Sequence, residues 1–266
     1  MPDLELPGSL TADVSAEVAV LRLTRAHKRN ALDDPTVLGL EQFFAHLPAH
    51  VRVVVLDAEG DHFCAGLDLS ALSRRTTYEG LLHSRMWHRV FEGIERASVP
   101  IVTVLKGAVV GGGLELAAAT HLRVAEQTAF YALPEGQRGL FVGGGASVRV
   151  PRLIGVHRMT DMMLTGRVFD AAEGQALGLS NYLTPPGEGL AKALELARTI
   201  AATPPVTTYA VLQALPSIAA AHPREGLLLE SLMAAVASSS EEAQARMQAF
   251  LDGRAAKVGR PGGESA

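Results

Sequence analysis

Cysteine and excess positive charge are both scarce in this sequence. A single cysteine, Cys64, stands among the 266 residues, so an internal disulfide and any metal site built from several cysteines are excluded. We expect Cys64 to be a small buried apolar residue in a reducing compartment. Lysine and arginine number 24 against 28 aspartate and glutamate, for a net charge of −4. Without a general basic field, we expect neither nucleic acid nor a membrane surface as a partner.

Long apolar runs and targeting signals are missing too. No uninterrupted apolar stretch approaches membrane-spanning length, and residues 1–10 show neither the basic nor the apolar region of a secretory signal. We therefore expect a soluble, cytoplasmic protein. With 48% hydrophobic and 20% charged residues, the chain can bury the core of one large domain, alone or with a smaller appendage.

Apolar strands alternate with helices through the first part of the sequence. The β-branched runs Val18–Leu23 and Val51–Asp57 predict buried strands, and Asp33–Leu47 between them predicts a helix with an aspartate cap and Pro35 in its first turn. The alternation continues with a helix inside 72–95, a strand at 100–105, a helix at 112–120 and a strand at 122–125. Repeated alternation of this kind predicts an α/β fold.

Strand patterns nearly stop after about Gly155. Helices are predicted over 156–165, 170–177, 187–202, 203–214 and 222–251, with a short strand at 181–184. We divide the chain into a core, 1–200, a helical region, 201–258, and a Gly/Ser-rich tail, 259–266, expected to be disordered. Residues 227–236 carry apolar side chains on more than one face, which favours self-assembly over a helix buried within the monomer.

Two glycine turns are the first candidates for chemistry. Gly111, Gly112 and Gly113 follow a strand and open a helix of small residues, where a ligand can approach unpaired N–H groups and the positive end of the helix dipole. This is how an oxyanion hole is built, although a tightly packed turn explains a glycine triplet about as well. A second turn around Gly66 follows the strand ending at Asp57, and could supply another N–H at the same sheet edge.

A nucleotide loop is the other interpretation of a glycine-rich turn. It is disfavoured here, because neither G-x-G-x-x-G after the first strand nor G-x-x-x-x-G-K-[ST] occurs in the sequence.

Two glutamates accompany the glycine turns. Glu115 falls in the first turn of the small-residue helix, and Glu135 lies in a loop after the next strand. Either one alone is more often a solvated surface charge. Because both lie at ends of elements among apolar and small residues, burial is expected to raise their pKa values toward the range useful for acid–base catalysis. As a pair, one group can accept a proton while the other donates one.

Five segments, taken together, resemble the crotonase, or enoyl-CoA hydratase/isomerase, superfamily in order and spacing. They are Arg29–Leu32, Phe63–Asp68, Gly111–Glu115, Pro134–Glu135 with Gly139–Leu140, and Pro151–Gly155. The resemblance covers residues 15–200 strongly and the C-terminal helices more loosely. It implies an α/β fold of repeated ββα units coiled into a spiral, a C-terminal helical trimerisation region, and homotrimers or dimers of trimers.

The resemblance also implies a reaction. The family's two oxyanion-hole N–H groups fall on Leu67 and Gly112, and Glu115 and Glu135 match the glutamates with which enoyl-CoA hydratases hold and activate water. We expect water to add across the 2,3-double bond of a 2-enoyl-CoA, with Glu135, by analogy, protonating C2. No metal or redox cofactor is implied, since coenzyme A is part of the substrate. The alternatives are double-bond isomerisation, hydrolysis or carbon–carbon cleavage of an acyl-CoA, and a non-catalytic acyl-CoA-binding oligomer.

Substrate-binding positions are implied in the same way. Those for coenzyme A are Lys28, Arg29, Ala31, Ala65, Asp68, Leu69 and, from a neighbouring subunit, Lys257. Those for the acyl pocket are Met86, Trp87, Val90, Phe141, Val142 and Gly143. The ordinary interpretations are a solvated turn at 28–29 and a core-facing helix at 86–90. The chain departs from the family pattern over 141–150, so its acyl pocket is expected to differ. His62, His83 and His88 are expected to have no chemical role.

Overall fold

Two sheets organise the residues that the computed structural model describes, which are 5–71 and 75–255. The strands are β1 (Leu10–Ser15), β2 (Val18–Leu23), β3 (Val53–Ala58), β4 (Ile101–Leu105), β5 (Ala108–Val110), β6 (Leu122–Glu126), β7 (Phe130–Ala132), β8 (Phe169–Asp170) and β9 (Tyr182–Thr184). The larger sheet has the order β1-β2-β3-β4-β6-β9, and the smaller has the order β5-β7-β8. In the larger sheet only the β1–β2 pair is antiparallel.

Helices connect and cover these strands. They are α1 (Asp34–Ala45), α2 (Thr77–Glu95), α3 (Gly112–Ala118), α4 (Ala146–Ile154), α5 (Val156–Thr165), α6 (Ala171–Leu177), α7 (Gly189–Ala201), α8 (Pro205–Tyr209), α9 (Leu215–Ala220), α10 (Pro223–Ser238) and α11 (Glu241–Leu251). The chain folds into two compact units, the first ending at Ala201 and the second beginning at Ala202. The predicted tail, 259–266, lies outside the described residues.

Local sequence explains where α1 and α2 begin. The Asp33 side chain accepts a hydrogen bond from the Thr36 amide at 2.9 Å, and a proline stands in the first turn of α1, as predicted. At the start of α2, Thr76 and Glu79 form a capping box in which each side chain bonds the other residue's backbone. The cap of α2 fixes the start of the helix that contributes residues to the candidate site described below.

The central strands β3 and β4 of the larger sheet are buried on both faces. On one face, Val53, Val55, Val102, Val104 and Val124 pack against Ala193, Ala197 and Ala201 of α7. On the other face, alternate residues such as Val54 and Leu56 join the main core with Phe43, Phe91 and Tyr131. Because a parallel strand buried on both faces needs no polar alternation, β3 and β4 are mostly apolar, with Asp57 and Thr103 as their polar residues.

Every regular element in the described part of the second unit, residues 202–255, is a helix. The predicted helix over 222–251 is two helices, since the Ser240 side chain accepts a hydrogen bond from the Ala243 amide at 3.2 Å and caps α11. Helix α10 leaves large apolar side chains exposed, with Leu227 at 66%, Leu228 at 61%, Leu232 at 56% and Val236 at 53%. Grouped exposed apolar side chains are typical of surfaces that contact another protein.

Within the described residues, every helix is too short or too polar to cross a lipid bilayer.

Cys64 lies in the core, and its burial raises the pKa of the thiol to about 12. The thiolate is the reactive form of cysteine, so we expect the native protein to resist a thiol-specific chromogenic reagent at pH 8. Unfolding in guanidinium should release one reactive thiol per chain. Rapid labelling of the native protein would show that the segment around Cys64 opens readily.

Candidate active site

The two predicted glycine turns meet through a short strand that the sequence pattern does not indicate. The sequence predicts the glycine triplet directly after the strand ending at Leu105, but β5 intervenes and belongs to the smaller sheet. Cys64 bridges to β5, because its amide donates to the Ala108 carbonyl at 2.9 Å and its carbonyl accepts from the Val110 amide at 3.0 Å. The two turns are therefore joined by β-type hydrogen bonds, not by two neighbouring strands of the larger sheet.

The backbone amides of Leu67 and Gly112 lie close together at this junction. A Cβ atom built on Gly112 would stand 3.4 Å from the Leu67 nitrogen, and one built on Gly66 would stand 3.3 Å from the Gly112 nitrogen. Gly112 is the first residue of α3, where N–H groups have no carbonyl partner within the helix. The Leu67 amide takes part in none of the hydrogen bonds formed among residues 5–71 and 75–255.

Glu115 is buried one turn into α3, with an exposed fraction of 4%. Its Oε1 accepts hydrogen bonds from the amides of Gly144 at 2.8 Å and Ala146 at 3.0 Å. Burial raises the pKa of the carboxyl above its ordinary value; the two N–H bonds oppose this shift, and the negative charge of Glu135 adds to it. The carboxylate is held in one orientation and still has Oε2 for another partner.

Glu135 immediately precedes a single turn of 3₁₀ helix, Gly136–Arg138. A Cβ atom built on Gly111 would lie 2.6 Å from Glu135 Oε1, so the carboxyl packs against the first glycine of the triplet. Glu135 Oε2 is buried and has no hydrogen-bond partner among the described residues. Burial raises the pKa of this carboxyl as well. An unpartnered buried oxygen is the group that a substrate or a water would satisfy.

One cavity of about 350 Å³ unites these groups. Leu67, Gly112, Glu115 and Glu135 all line it. Five of the positions expected to bind coenzyme A or the acyl chain line it too: Ala65, Leu69, Trp87, Phe141 and Gly143. Two peptide N–H groups and two carboxyls of raised pKa therefore share one pocket, which suits acid–base chemistry on a carbonyl compound whose oxygen gains negative charge.

Three expected acyl-pocket residues, Met86, Val90 and Val142, do not line this cavity. Val90 and Val142 are buried in the main core, and Met86 packs against it. For Met86 and Val90 the reason is helical spacing, since α2 turns a different stripe toward the cavity. That stripe consists of Gly80, His83, Ser84 and Trp87, which recur at i, i+3, i+4 and i+7.

Two of the residues expected to bind coenzyme A, Lys28 and Asp68, belong to a polar network outside the cavity lining. Asp68 is buried, and its Oδ2 accepts from Arg25 at 2.7 Å and from Lys28 at 2.9 Å. Bonds from Ser70, Lys28 and Arg25 hold the pKa of Asp68 well below its usual range. Asp68 thus anchors the loop after Leu67 and does not line the cavity. Arg29 is exposed, and its carbonyl accepts from the Ala65 amide at 2.9 Å.

Ala31 and Lys257 are the remaining residues expected to bind coenzyme A. Ala31 is half-buried and its carbonyl accepts a hydrogen bond from Arg25 at 2.9 Å. Lys257 lies outside the described residues.

Sequence reasoning assigns no role to four polar residues that line the cavity: Arg75, His83, Ser84 and Arg138. The spacing of His83 and Ser84 relative to Trp87 on one predicted helix could have identified them. Arg75 and Arg138 precede or end elements whose path the sequence does not determine.

The chain is similar to known proteins over most of its length. A model of the enoyl-CoA hydratase/isomerase family matches residues 13–260. A structure from Rhodopseudomonas palustris, described provisionally as an enoyl-CoA hydratase, is 56% identical with a TM-score of 0.90, and the match covers 92% of this chain and 95% of that one. The enoyl-CoA hydratase EchA19 of Mycobacterium tuberculosis is 27% identical over 241 residues, which are 89% of this chain and 91% of that protein.

Two further matches concern the ligand bound by a relative and the lengths of the matched proteins. A Thermobifida fusca structure, also described provisionally as an enoyl-CoA hydratase, was solved in complex with acetoacetyl-CoA; it is 25% identical with a TM-score of 0.79, and the match covers 86% of this chain and 94% of that one. The fatty acid oxidation complex subunit alpha of Shewanella loihica is 40% identical over 148 residues. That match spans 54% of this chain but only 21% of the longer Shewanella protein.

Proposed function

Since the chain belongs to the enoyl-CoA hydratase/isomerase family, we propose that it is an enoyl-CoA hydratase, adding water across the 2,3-double bond of a 2-enoyl-CoA thioester. The predicted crotonase-like α/β fold with C-terminal helices is confirmed by the solved structures that it matches. One observation carries the proposed reaction. Glu115 and Glu135, both with raised pKa values, line the same cavity as the amides of Leu67 and Gly112.

The two amides would bind the thioester oxygen. When water attacks C3, electrons move through the double bond toward the carbonyl, and the oxygen becomes enolate-like. Hydrogen bonds from Leu67 N–H and Gly112 N–H strengthen as that charge develops, and the N-terminus of α3 adds the positive end of its dipole. Interactions that gain strength only in the transition state accelerate the reaction, whereas those already made in the ground state do not.

The glutamates would handle the protons. Two N–H bonds favour the ionised form of Glu115, so we assign it the role of accepting a proton from the attacking water. Glu135 Oε2 lacks any donor among the described residues, so the protonated form is the better suited to its site, and we assign Glu135 the delivery of a proton to C2. A new C3–O bond and a new C2–H bond replace the double bond. No metal or redox partner is required, because the reaction only adds the elements of water.

Coenzyme A would enter along the loop that carries Ala65 and Leu69. The complex of the Thermobifida fusca neighbour with acetoacetyl-CoA supports an acyl-CoA as the ligand. Lys28 and Arg29 lie beyond the cavity lining, where their positive charges suit contact with the phosphates of coenzyme A.

We also propose that the chain assembles as a homotrimer or a dimer of trimers. The support is the exposed apolar surface of α10, formed by Leu227, Leu228, Leu232 and Val236. Light scattering coupled to size-exclusion chromatography should give three or six times the mass of one chain. A monomer at micromolar concentration would contradict this assignment. The cytoplasmic location stays a prediction from the sequence.

A direct assay tests the reaction. Purified protein is mixed with crotonyl-CoA and longer 2-enoyl-CoAs, and the ultraviolet absorbance of the conjugated thioester is followed. We expect absorbance to fall and the product mass to rise by one water. An isomerase would leave the mass unchanged, and a hydrolase or carbon–carbon lyase would release free coenzyme A or a shorter ester. Correctly folded protein that consumes no ester across the panel would refute the proposal.

The pH dependence of hydration follows from the shifted carboxyls. Burial raises the pKa of Glu115 and of Glu135 above the ordinary value of 4.5. As the pH falls through the raised pKa of the base, that base is protonated and kcat/KM decreases. We therefore expect an acid limb centred above 4.5, measured with crotonyl-CoA after checking that activity recovers on return to pH 7. A limb centred at or below that value would contradict the assigned burial.

A further inference from the structure

A hydrogen-bonded set of side chains connects α1 to α2 beside the cavity. Asp34 Oδ1 lies 2.7 Å from His83 Nε2 and 3.3 Å from Trp87 Nε1, and Asp34 Oδ2 lies 3.7 Å from an Arg75 nitrogen. His83, Trp87 and Arg75 line the cavity, whereas Asp34 does not. The His83 ring therefore stands between a carboxylate and the space where a substrate would bind.

The carboxylate determines which nitrogen of His83 is available. A carboxylate only accepts hydrogen bonds, so His83 Nε2 carries the proton that points to Asp34. In the neutral ring Nδ1 is then an acceptor. Nδ1 makes no hydrogen bond with any residue in the described ranges, 5–71 and 75–255, although the side chain is only 18% exposed. Proton position and ring orientation are thus set by Asp34, while an acceptor remains unused.

Trp87 separates this acceptor from the proposed oxyanion hole. The six-membered ring of the indole lies close to Gly112 and Gly144, since Cβ atoms built there would approach it to 3.1 Å and 3.2 Å. The opposite edge of the indole donates to Asp34. The Asp34–His83 pair consequently lies across the width of the indole from the Gly112 amide, away from the atoms that would react.

We propose that His83, positioned by Asp34, determines substrate specificity by accepting a hydrogen bond from a hydroxyl group on the acyl chain. This inference rests on the acyl-CoA binding in the proposed function, and names the substrate class as hydroxylated acyl-CoAs. A plain alkyl chain that filled this part of the cavity would exclude water and leave Nδ1 without a partner, which is unfavourable. A hydroxyl satisfies Nδ1 because it donates a hydrogen bond, whereas a carboxylate only accepts and would leave this nitrogen without a donor.

Binding of unreactive esters tests this separately from hydration. Calorimetry would compare butanoyl-, hexanoyl- and octanoyl-CoA with their terminally hydroxylated counterparts, none of which has a double bond to hydrate. We expect the hydroxylated ester to bind at least about tenfold more tightly at one chain length or more. The preference should disappear in His83→Gln, because glutamine retains a donor for Asp34 and lacks an acceptor at the Nδ1 position.

Three further variants sharpen the test. His50→Gln makes the same exchange at an exposed histidine outside the cavity lining, and should keep the wild-type preference. His83→Asn places an amide oxygen near the Nδ1 position and should keep part of the preference for the hydroxylated ester. Asp34→Ala leaves the imidazole but removes what orients it, and should reduce the preference several-fold. Thermal melts would establish that each variant is folded.

Two results would overturn the inference. One is equal affinity of wild-type protein for plain and hydroxylated esters at every chain length. The other is an equal loss of affinity for both esters in His83→Gln, which would mean that His83 contacts the coenzyme A portion. Hydroxyl preference without hydration of any enoyl ester would refute the proposed reaction alone, and hydration without hydroxyl preference would refute this inference alone.

Discussion

Replacing Glu135 with glutamine is expected to lower kcat for hydration at least about a hundredfold, the lower end of what a positioned acid or base contributes. Glutamine keeps the size of the side chain beside Gly111, but cannot deliver a proton to C2. Glu115→Gln should have an effect of the same order, because an amide cannot accept the proton of the attacking water. Steady-state kinetics with crotonyl-CoA measure both. Glu188→Gln, at an exposed position outside the cavity lining, is the matched control and should turn over normally.

Stability distinguishes a chemical from a structural effect in these variants. Because burial raises the pKa of Glu135, the folded state holds the proton more tightly than the unfolded state does. Ionisation of this group therefore destabilises the fold. The effect is largest above the folded pKa, declines as the pH falls through that pKa, and is gone below the unfolded pKa. Glutamine removes the charge, so the free energy of unfolding of Glu135→Gln should equal or exceed that of wild type at pH 7. Near-normal turnover in both active-site variants would end the assignment of the two glutamates.

Gly66→Ala is expected to reduce kcat by about a hundredfold to a thousandfold, the loss seen when one oxyanion donor is removed. Gly66 has a φ of 96°, and a Cβ atom there would stand 2.8 Å from the Val110 carbonyl oxygen and 3.3 Å from the Gly112 nitrogen. The backbone must move, and the adjacent Leu67 amide moves with it. Since the carbonyl and amide concerned are backbone atoms, no side chain can yield instead.

Gly187→Ala is the control for backbone strain at Gly66. Gly187 has a φ of 81°, and nothing lies within 4 Å of a Cβ atom built there. Gly187→Ala should carry a similar left-handed strain of about 1 kcal/mol or more and leave kcat unchanged. If Gly66→Ala loses no more activity than Gly187→Ala, the Leu67 amide does not bind the reacting oxygen.

Much of the first unit could be predicted from local sequence. The run Val18–Leu23 coincides with β2, and Asp33 caps α1 as expected. These elements are determined by near-neighbour chemistry, such as β-branched side chains in a buried strand or a carboxylate that bonds the third following amide. Strand β5 could not be predicted, for the opposite reason. A strand of only three residues has no recognisable sequence pattern. It forms because β7 and the segment around Cys64 pair with it.

The residues of α2 that line the cavity could not be predicted from local sequence either. Met86, Trp87 and Val90 are all apolar and near in sequence, yet only Trp87 lines the cavity. Which stripe of α2 faces the pocket depends on how the helix packs against its neighbours, which no periodicity within α2 specifies. His83 is an ordinary histidine by sequence, since nothing there places Asp34, 49 positions away, at its Nε2.

The order and spacing of motifs in the sequence were sufficient to identify the fold family by resemblance. The same resemblance predicts the four groups of the proposed hydration site, where glycines expose amides and glutamates stand at the ends of elements. Tertiary structure alone decided that these groups share one cavity, which carboxyl oxygen lacks a donor, and which residues of α2 line that cavity. Those properties depend on burial and on contacts between residues far apart in the chain, and neither is encoded in any single segment.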